Sequence, residues 1–339
     1  MAHILLLHDH SAYTSRSLAA GGLGGTESSV IYLGEALARA GHHVAAANRL
    51  AGPVEDPPLA WLPLPLPRGS ARADVAIAIN QARLLDGVRA KRKVVWLHNP
   101  TSLWRQLKRA NLTSLWRHRP DAVLLGAYHA RSVPQHLPFA QRVTIPHGIG
   151  PEFLGATLRP AGAPRVLFAS QPYRGLDWLV SLWLRRVFPQ VPGAELHVFV
   201  PKDDQVTDEL GRLERFGIHV RGSIDREALA QEMRQARVMW VAGHKDETFC
   251  LAAAEAIASG LPVMTRGTGS LAERVIDGQT GYIRDQEAEF AERAVALLTD
   301  DGSWQAMHRA ALDAGERQTW DEVARQWQAT FPELAGTAP

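Results

Sequence analysis

Throughout this chain, short apolar runs alternate with amphipathic stretches. A continuous apolar run suits a strand buried on both faces, and the amphipathic stretch after it suits a crossover helix. The pattern therefore predicts βαβ units, mostly parallel sheets and the α/β class. In the first half, strands are expected near Ile4 to Leu7, Val44 to Ala47, Val75 to Ile79, Val94 to Leu97, Ala122 to Leu125 and Val143 to Ile145. They recur near Val166 to Ala169, Leu196 to Val200, Val220, Val238 to Val241 and Pro262 to Thr265. Between the two sets, "GIGPEFLGATLRPAGAPR" is rich in glycine and proline and has no period, which reads as an interdomain linker.

The expected architecture is two doubly wound, Rossmann-like domains facing each other across a cleft. Residues 1–150 form the first, 151–163 the linker and 164–318 the second, with a closing helix from "DEVARQWQATF" within 319–339. With 339 residues, 46% of them hydrophobic, the chain is long enough for two cores. "MAHILLLHDH" reads as a first strand rather than a signal peptide, and no run approaches the roughly 20 apolar residues of a membrane span. The single cysteine, Cys250, excludes an internal disulfide framework and a cysteine-rich metal site, and fits a reducing compartment. A formal charge of +2 makes no demand for nucleic acid.

Ligands of open parallel sheets bind beyond the carboxyl ends of the strands, so chemistry is expected in the loops there. The first such loop, "AAGGLGGTESSV", fails the dinucleotide fingerprint, because a G-x-G-x-x-G starting at Gly22 meets Glu27. Its glycines let backbone amides approach an anion or a sugar, or simply let strand and helix pack, and Thr26 is a candidate helix cap. In "VVWLHNP", His98 stands at a strand's carboxyl end, either as a hydroxyl partner or as a satisfied buried side chain. In "LFASQPYRGLDWL", Arg174 precedes a helix start, where unpaired amides and a guanidinium together suit a diphosphate. A surface arginine is the alternative.

"DETFCLAAAEAIASGLP" carries two acids eight positions apart, Glu247 in a loop after a strand and Glu255 about two turns inside the following helix. The amides of Thr248, Phe249, Cys250 and Leu251 lie around that helix start, where partial positive charge favours phosphate. The acids stand roughly 10 Å apart, the span from a ribose to a sugar across a pyrophosphate. Carboxylates accept bonds from hydroxyl pairs, and Ala252, Ala253 and Ala254 allow close approach.

Together, "GGTE", "VTIPHGI", "GSIDREALAQEMRQARVMWVAG", the Glu247 and Glu255 spacing with "AIASGLPV", and "DGQTGYI" resemble the retaining, nucleotide-sugar-dependent glycosyltransferases of family 4, which have the GT-B fold. The resemblance implies that Glu247 contacts the transferred sugar, Glu255 the ribose hydroxyls and Arg174 the donor diphosphate. Gly24 and Gly25 match the N-terminal glycine loop, and His98 resembles a histidine facing the reacting sugar. Glu273 falls where the family commonly has a glutamate. The closing helix is implied to pack back on the first domain. Two departures stand out: Ser170 lies near the place of a second basic residue, for which Lys202 is a distant substitute, and Pro146, His147 and Gly148 replace the usual Pro-Asn-Gly.

The implied reaction is sugar transfer with retention, from a UDP-sugar in preference to a GDP-sugar, to a glycan, glycolipid or other cell-envelope acceptor. No Asp-x-Asp motif is present, so no metal and no cofactor is expected. An inactive GT-B binding protein and a GT-B epimerase or phosphorylase are the alternatives; Glu27 speaks against a dehydrogenase. From Gly87 to Pro120 there are nine Lys or Arg, no Asp or Glu, and Trp104 and Trp116 interleaved. That segment suits docking on an anionic membrane or acceptor, or is a solvated basic face. A cytoplasmic protein, peripheral on the membrane's inner face, is the corresponding expectation.

Overall fold

Ile4, Leu5, Leu6 and Leu7 are buried on both faces of β1 (His3–Leu7), the strand from which the first sheet grows in two directions. On one side it pairs with β2 (His43–Asn48), and on the other with β5 (Ala71–Ile79), so Ile4 stands between Val44 and Val75. Helix α1 (Gly25–Arg39) makes the crossover from β1 to β2, and Gly34 brings it close: a Cβ there would lie 2.6 Å from Leu59 Cδ2. The sheet continues through β3 (Val54–Asp56), β4 (Leu59–Pro63), β6 (Val88–Trp96), β7 (Asp121–Leu124) and β8 (Arg142–Thr144). Helix α2 (Leu112–His118) precedes β7, and α3 (Ala127–Ser132) follows it. The strand order is β3-β4-β2-β1-β5-β6-β7-β8, parallel except for the β3–β4 pair.

This computed structural model describes every residue except 68, 70, 103, 105–110, 201–203, 315–316 and 336–339, with backbone alone at 204–207. The second unit repeats the design. It comprises β9 (Arg165–Phe168), α4 (Leu176–Leu182), β10 (Glu195–Val198), α5 (Asp204–Gly211) and β11 (Ile218–Val220). Then come α6 (Arg226–Gln235), β12 (Val238–Gly243), α7 (Leu251–Ala258), β13 (Val263–Thr268) and α8 (Leu271–Arg274). It closes with β14 (Gly281–Ile283), α9 (Glu287–Thr299) and α10 (Asp301–Ala314). The order β11-β10-β9-β12-β13-β14 is parallel throughout. Its core holds Trp183 and Phe290 edge-on to Trp240, at 5.8 and 5.4 Å.

The last helix, α11 (Trp320–Thr330), belongs to the first unit. A capping box starts it: Thr319 Oγ1 accepts from Glu322 N at 3.2 Å, and Glu322 Oε2 accepts from Thr319 N at 2.7 Å. Its Trp320 stacks on Tyr32 of α1 and, with Trp327, meets Trp96 of β6 edge-on.

Residues 151–163 cluster with the second unit. The division falls between Gly148 and Ile149, and again between Arg317 and Gln318, while Ala19–Gly22 also cluster with the second unit. The segment has no period, yet Phe153 is fully buried, and Arg159 lies 4.7 Å over Trp304 and donates to Ala236 O at 2.6 Å. A few anchors are enough to fix a stretch that lacks regular structure. The sequence reading also omitted β3, β4 and β14, which are short and bounded by turn residues.

Candidate donor-binding and active site

In the second unit, β9 pairs with β10 on one side and β12 on the other. The chain therefore reverses its direction of strand addition between β9 and β12, and loops leaving such a pair diverge into a crevice. Arg174 lies on the loop after β9, and Glu247 on the loop after β12.

Arg174 ends a single 3₁₀ turn, Pro172–Arg174, and Gly175 then takes φ 101°, a left-handed conformation that favours glycine. A Cβ at Gly175 would stand 2.6 Å from Ala242 Cβ, so this glycine sets the loop tightly against β12. Arg174 Nη1 donates to Glu247 Oε2, and Arg174 Nε donates to the Tyr173 hydroxyl at 3.3 Å. Burial disfavours the guanidinium charge, but Glu247 and Tyr173 outweigh it and hold the Arg174 pKa above its ordinary value. Tyr173, 65% exposed, meets His244 edge-on at 5.6 Å.

The Glu247 backbone is held from both sides: its N–H donates to His244 O at 2.9 Å and its carbonyl accepts from Ser270 N at 3.0 Å. Gly269, at φ 76°, permits this, since a Cβ there would sit 2.5 Å from His244 O. Thr248, Phe249 and Cys250 are buried, and Arg274 lies 4.5 Å over the Phe249 ring. Cys250 is the cap of α7 at φ 62°, and its thiol pKa is pushed well up, first by burial and then by Glu247. Arg174 and Glu255 also act on that thiol.

Glu255 is the fifth residue of α7, one turn inside rather than the expected two, because the helix begins at Leu251. It is 3% exposed. Arg226, the first residue of α6, donates through Nη2 to Glu255 Oε1 and through Nε to Glu152 Oε1 at 2.7 Å. Burial raises the Glu255 pKa, and Arg226 pulls it back. Neither Arg226 nor Glu152 was singled out from sequence. A signal existed: Asp225 caps α6, accepting from Ala228 N at 2.8 Å, and a cation in a helix's first turn opposes the dipole unless an acid compensates. Glu273 lies in the short α8, its N–H donating to Ser270 O at 2.9 Å. Ser170 is half-buried in the loop after β9, while Lys202 lies outside the described residues.

The other candidates are in the first unit. Gly24 itself is the cap of α1, without a side-chain bond, so Thr26 lies inside the helix and is not its cap; Gly25 is the first helical residue. His98 follows β6, is 7% exposed, and its N–H donates to Asn80 Oδ1 at 2.8 Å. Its ring packs against Trp96 at 4.3 Å and His147 at 4.8 Å. Burial lowers its pKa far below the usual histidine range, with His147, His8 and His129 acting in the same direction, so the imidazole is neutral. His147 takes the asparagine's place in Pro146–Gly148 and packs on Trp320; a Cβ at Gly148 would lie 2.8 Å from Trp320 N.

Three of the nine cations in the basic segment pair with acids. Lys91 pairs with Asp74, Arg92 with Asp121 and Glu333, and Arg117 with Asp86. Trp104 and Trp116 are each 64% exposed; Arg105, Lys108 and Arg109 lie outside the described residues. Among the described residues, Glu195, His197 and His219 place ligand atoms within 4.8 Å of one another. Arg165 bonds Glu195 at 3.4 Å and Glu232 at 3.3 Å there, so a guanidinium already supplies the positive charge.

Two doubly wound parallel-sheet units, the second with two acids and an arginine around a helix start, give the chain the GT-B fold. Residues 163–300, within the second unit, match the family model of glycosyl transferases group 1. The chain is 28% identical over 211 residues to a phosphatidyl-myo-inositol mannosyltransferase of Mycobacterium tuberculosis, an alignment covering 58% of this chain and 55% of the relative. It thus spans about half the length of the curated relatives it matches. Its fold is that of a sucrose-phosphate synthase from Thermosynechococcus elongatus, at TM-score 0.76 and 19% identity over 100% of both chains. It is also that of Anabaena HepE in complex with UDP-glucose, at TM-score 0.72 and 16% identity over 97% of this chain and 99% of the other.

Proposed function

We propose that this chain is a retaining family 4 glycosyltransferase. It transfers a sugar from a nucleoside diphosphate sugar, UDP-sugar in preference to GDP-sugar, to a hydroxyl of a glycan, glycolipid or other cell-envelope acceptor. The observation that carries this is the gathering of Arg174, Glu247 and Glu255 around the start of α7, at the switch point of the unit that matches the group 1 family model. Arg174 and the amides of Phe249, Cys250 and Leu251 supply positive charge for the diphosphate. Glu255 accepts from the ribose hydroxyls and Glu247 from the transferred sugar. As the bond from the anomeric carbon to the phosphate oxygen breaks, the acceptor oxygen bonds that carbon from the same face and its proton passes to the departing phosphate oxygen. The protein contributes leaving-group stabilisation and orientation. The reaction needs no metal or cofactor, because the guanidinium and helix start neutralise the leaving group.

Calorimetry with UDP, GDP, ADP and their sugar conjugates tests this reading. One nucleotide should bind selectively, and Glu255→Ala should abolish that binding. No response to any nucleotide would overturn the reading. Binding without turnover would point to an inactive binding protein, and donor consumption without acceptor to an epimerase or phosphorylase.

A second reading, peripheral docking on the inner face of the cytoplasmic membrane, is favoured by Trp104 and Trp116, large apolar groups exposed in a basic segment. No helix among the described residues is long and apolar enough to cross a membrane.

A further inference from the structure

Glu255 is a carboxylate in a poor place for a charge. It is 3% exposed and flanked on its helix by the fully buried Ala254 and Ala256. Burial pushes its pKa up, and a neutral carboxyl both donates and accepts, so it recognises a hydroxyl pair less selectively. Arg226 changes this. Its guanidinium is a two-pronged bridge, Nη2 to Glu255 Oε1 and Nε to Glu152 Oε1, and its plane lies 4.9 Å over the Phe153 ring. The three side chains are only 13%, 10% and 4% exposed for Arg226, Glu152 and Glu255. The bond to Glu255 engages Oε1.

We propose that Arg226, anchored by Glu152 and Phe153, is a positioning residue that keeps Glu255 a fixed acceptor for the hydroxyl pair of a nucleotide's ribose. The inference rests on Glu255 being the ribose acid. The bridge aims one carboxylate oxygen at the ligand and sets the other against a rigid cation. A guanidinium fork can hold two carboxylates in one plane, which an ammonium cannot do. Glu152 fixes the fork from behind and leaves the trio with one net negative charge.

The charged groups acting on Glu255 are Arg226 of α6 and Glu152 of the turn Pro151–Phe153. Strand β12 has no titratable side chain, and Cys250 at the cap is a neutral thiol. Arg266 of β13, Glu273 and Arg274 of α8, and His308 of α10 lie on elements that also pack on α7.

The test is calorimetric binding of UDP and its 3′-deoxyribose analogue, with the GDP pair in parallel, from about pH 6 to about pH 9, for Arg226→Ala, Arg226→Lys, Glu152→Gln and Glu255→Gln. Arg226→Ala should weaken the ribonucleotide roughly ten- to hundredfold at neutral pH and the deoxy analogue far less, as expected for loss of a charged acceptor. That loss should shrink as rising pH ionises Glu255. Arg226→Lys should recover part of the affinity, and Glu152→Gln should shift the same way by less. Equal loss of both nucleotides, or a loss indifferent to pH, would make Arg226 merely structural and overturn the proposal. Glu152→Gln keeps it falsifiable if Arg226→Ala does not fold. If Glu255→Gln binds both nucleotides like the wild type, the ribose reading itself fails; if Glu255→Gln loses discrimination while Arg226→Ala keeps it, only this inference fails.

Discussion

Arg174 donates to Glu247, so the guanidinium proposed to receive the diphosphate and the acid proposed to hold the transferred sugar are each other's partner. A donor has to exchange this pair for contacts of its own, and removing either residue disturbs both. Arg174→Ala should lower kcat by about 10²- to 10³-fold. Adding Glu247→Gln should cost much less than it does in the wild type, because the two sites are coupled. Steady-state kinetics of the double-mutant cycle would show this; near-normal turnover of Arg174→Ala would refute the assignment.

Gly175 permits the loop that carries Arg174. A methyl group there meets Ala242 and the backbone remains at φ 101°, so Gly175→Ala should destabilise the fold by about 1–3 kcal/mol and weaken donor binding together. Gly193→Ala is the control, since nothing lies within 4 Å of a Cβ there. Denaturant melts of the two variants should separate clearly.

Burial lowers His8 and His129 to about 4, against Glu27 in the first case and a backbone bond to Asn99 in the second. The unfolded chain binds protons at these histidines from about pH 6.5 downward, whereas the folded chain does so only near 4. Their contribution to stability is therefore full above about pH 6.5 and is lost as pH falls towards 4. Urea midpoints should already decline between about pH 6.5 and about pH 5, above the range where most carboxylates titrate. A flat profile over that interval would count against the buried, neutral histidines.

Chelation separates the guanidinium from a metal as the source of leaving-group charge. Turnover should survive EDTA and gain little from added Mg²⁺ or Mn²⁺, whereas complete loss on chelation would contradict the proposal.

Trp116 is 64% exposed on α2, next to Arg117, so replacing it should leave the core intact. Trp116→Ser should reduce sedimentation with anionic vesicles while the melting temperature stays nearly constant. Absence of binding by the wild type at low salt would remove the membrane reading.

How far the sequence carried depended on whether a feature was local. Continuous apolar runs such as Ile4 to Leu7 and Val238 to Val241 made buried parallel strands legible, because no other element of that length buries both faces. Glu247 and Glu255 were legible as a pair because a fixed spacing across a loop and helix is a local property. Arg226 was not, since its meaning comes from Glu152 and Glu255, 74 and 29 positions away. The same reason hides the pairing of Arg174 with Glu247, 73 positions apart. Thr26 failed as a cap because Gly24 already supplies the extended conformation that precedes the helix. Strand β14, three residues beginning with glycine, offers too short a run to read.

The capping box at Thr319 and the tryptophans of α11 have a consequence for biosynthesis. Everything from Ile149 to Arg317 belongs to the other unit or is interposed ahead of this helix, so a ribosome releases the whole second unit before it releases Trp320 and Trp327. Until then Trp96 and Tyr32 lack the aromatic partners that cover them. The first unit therefore completes its aromatic core only after the second unit has been synthesised.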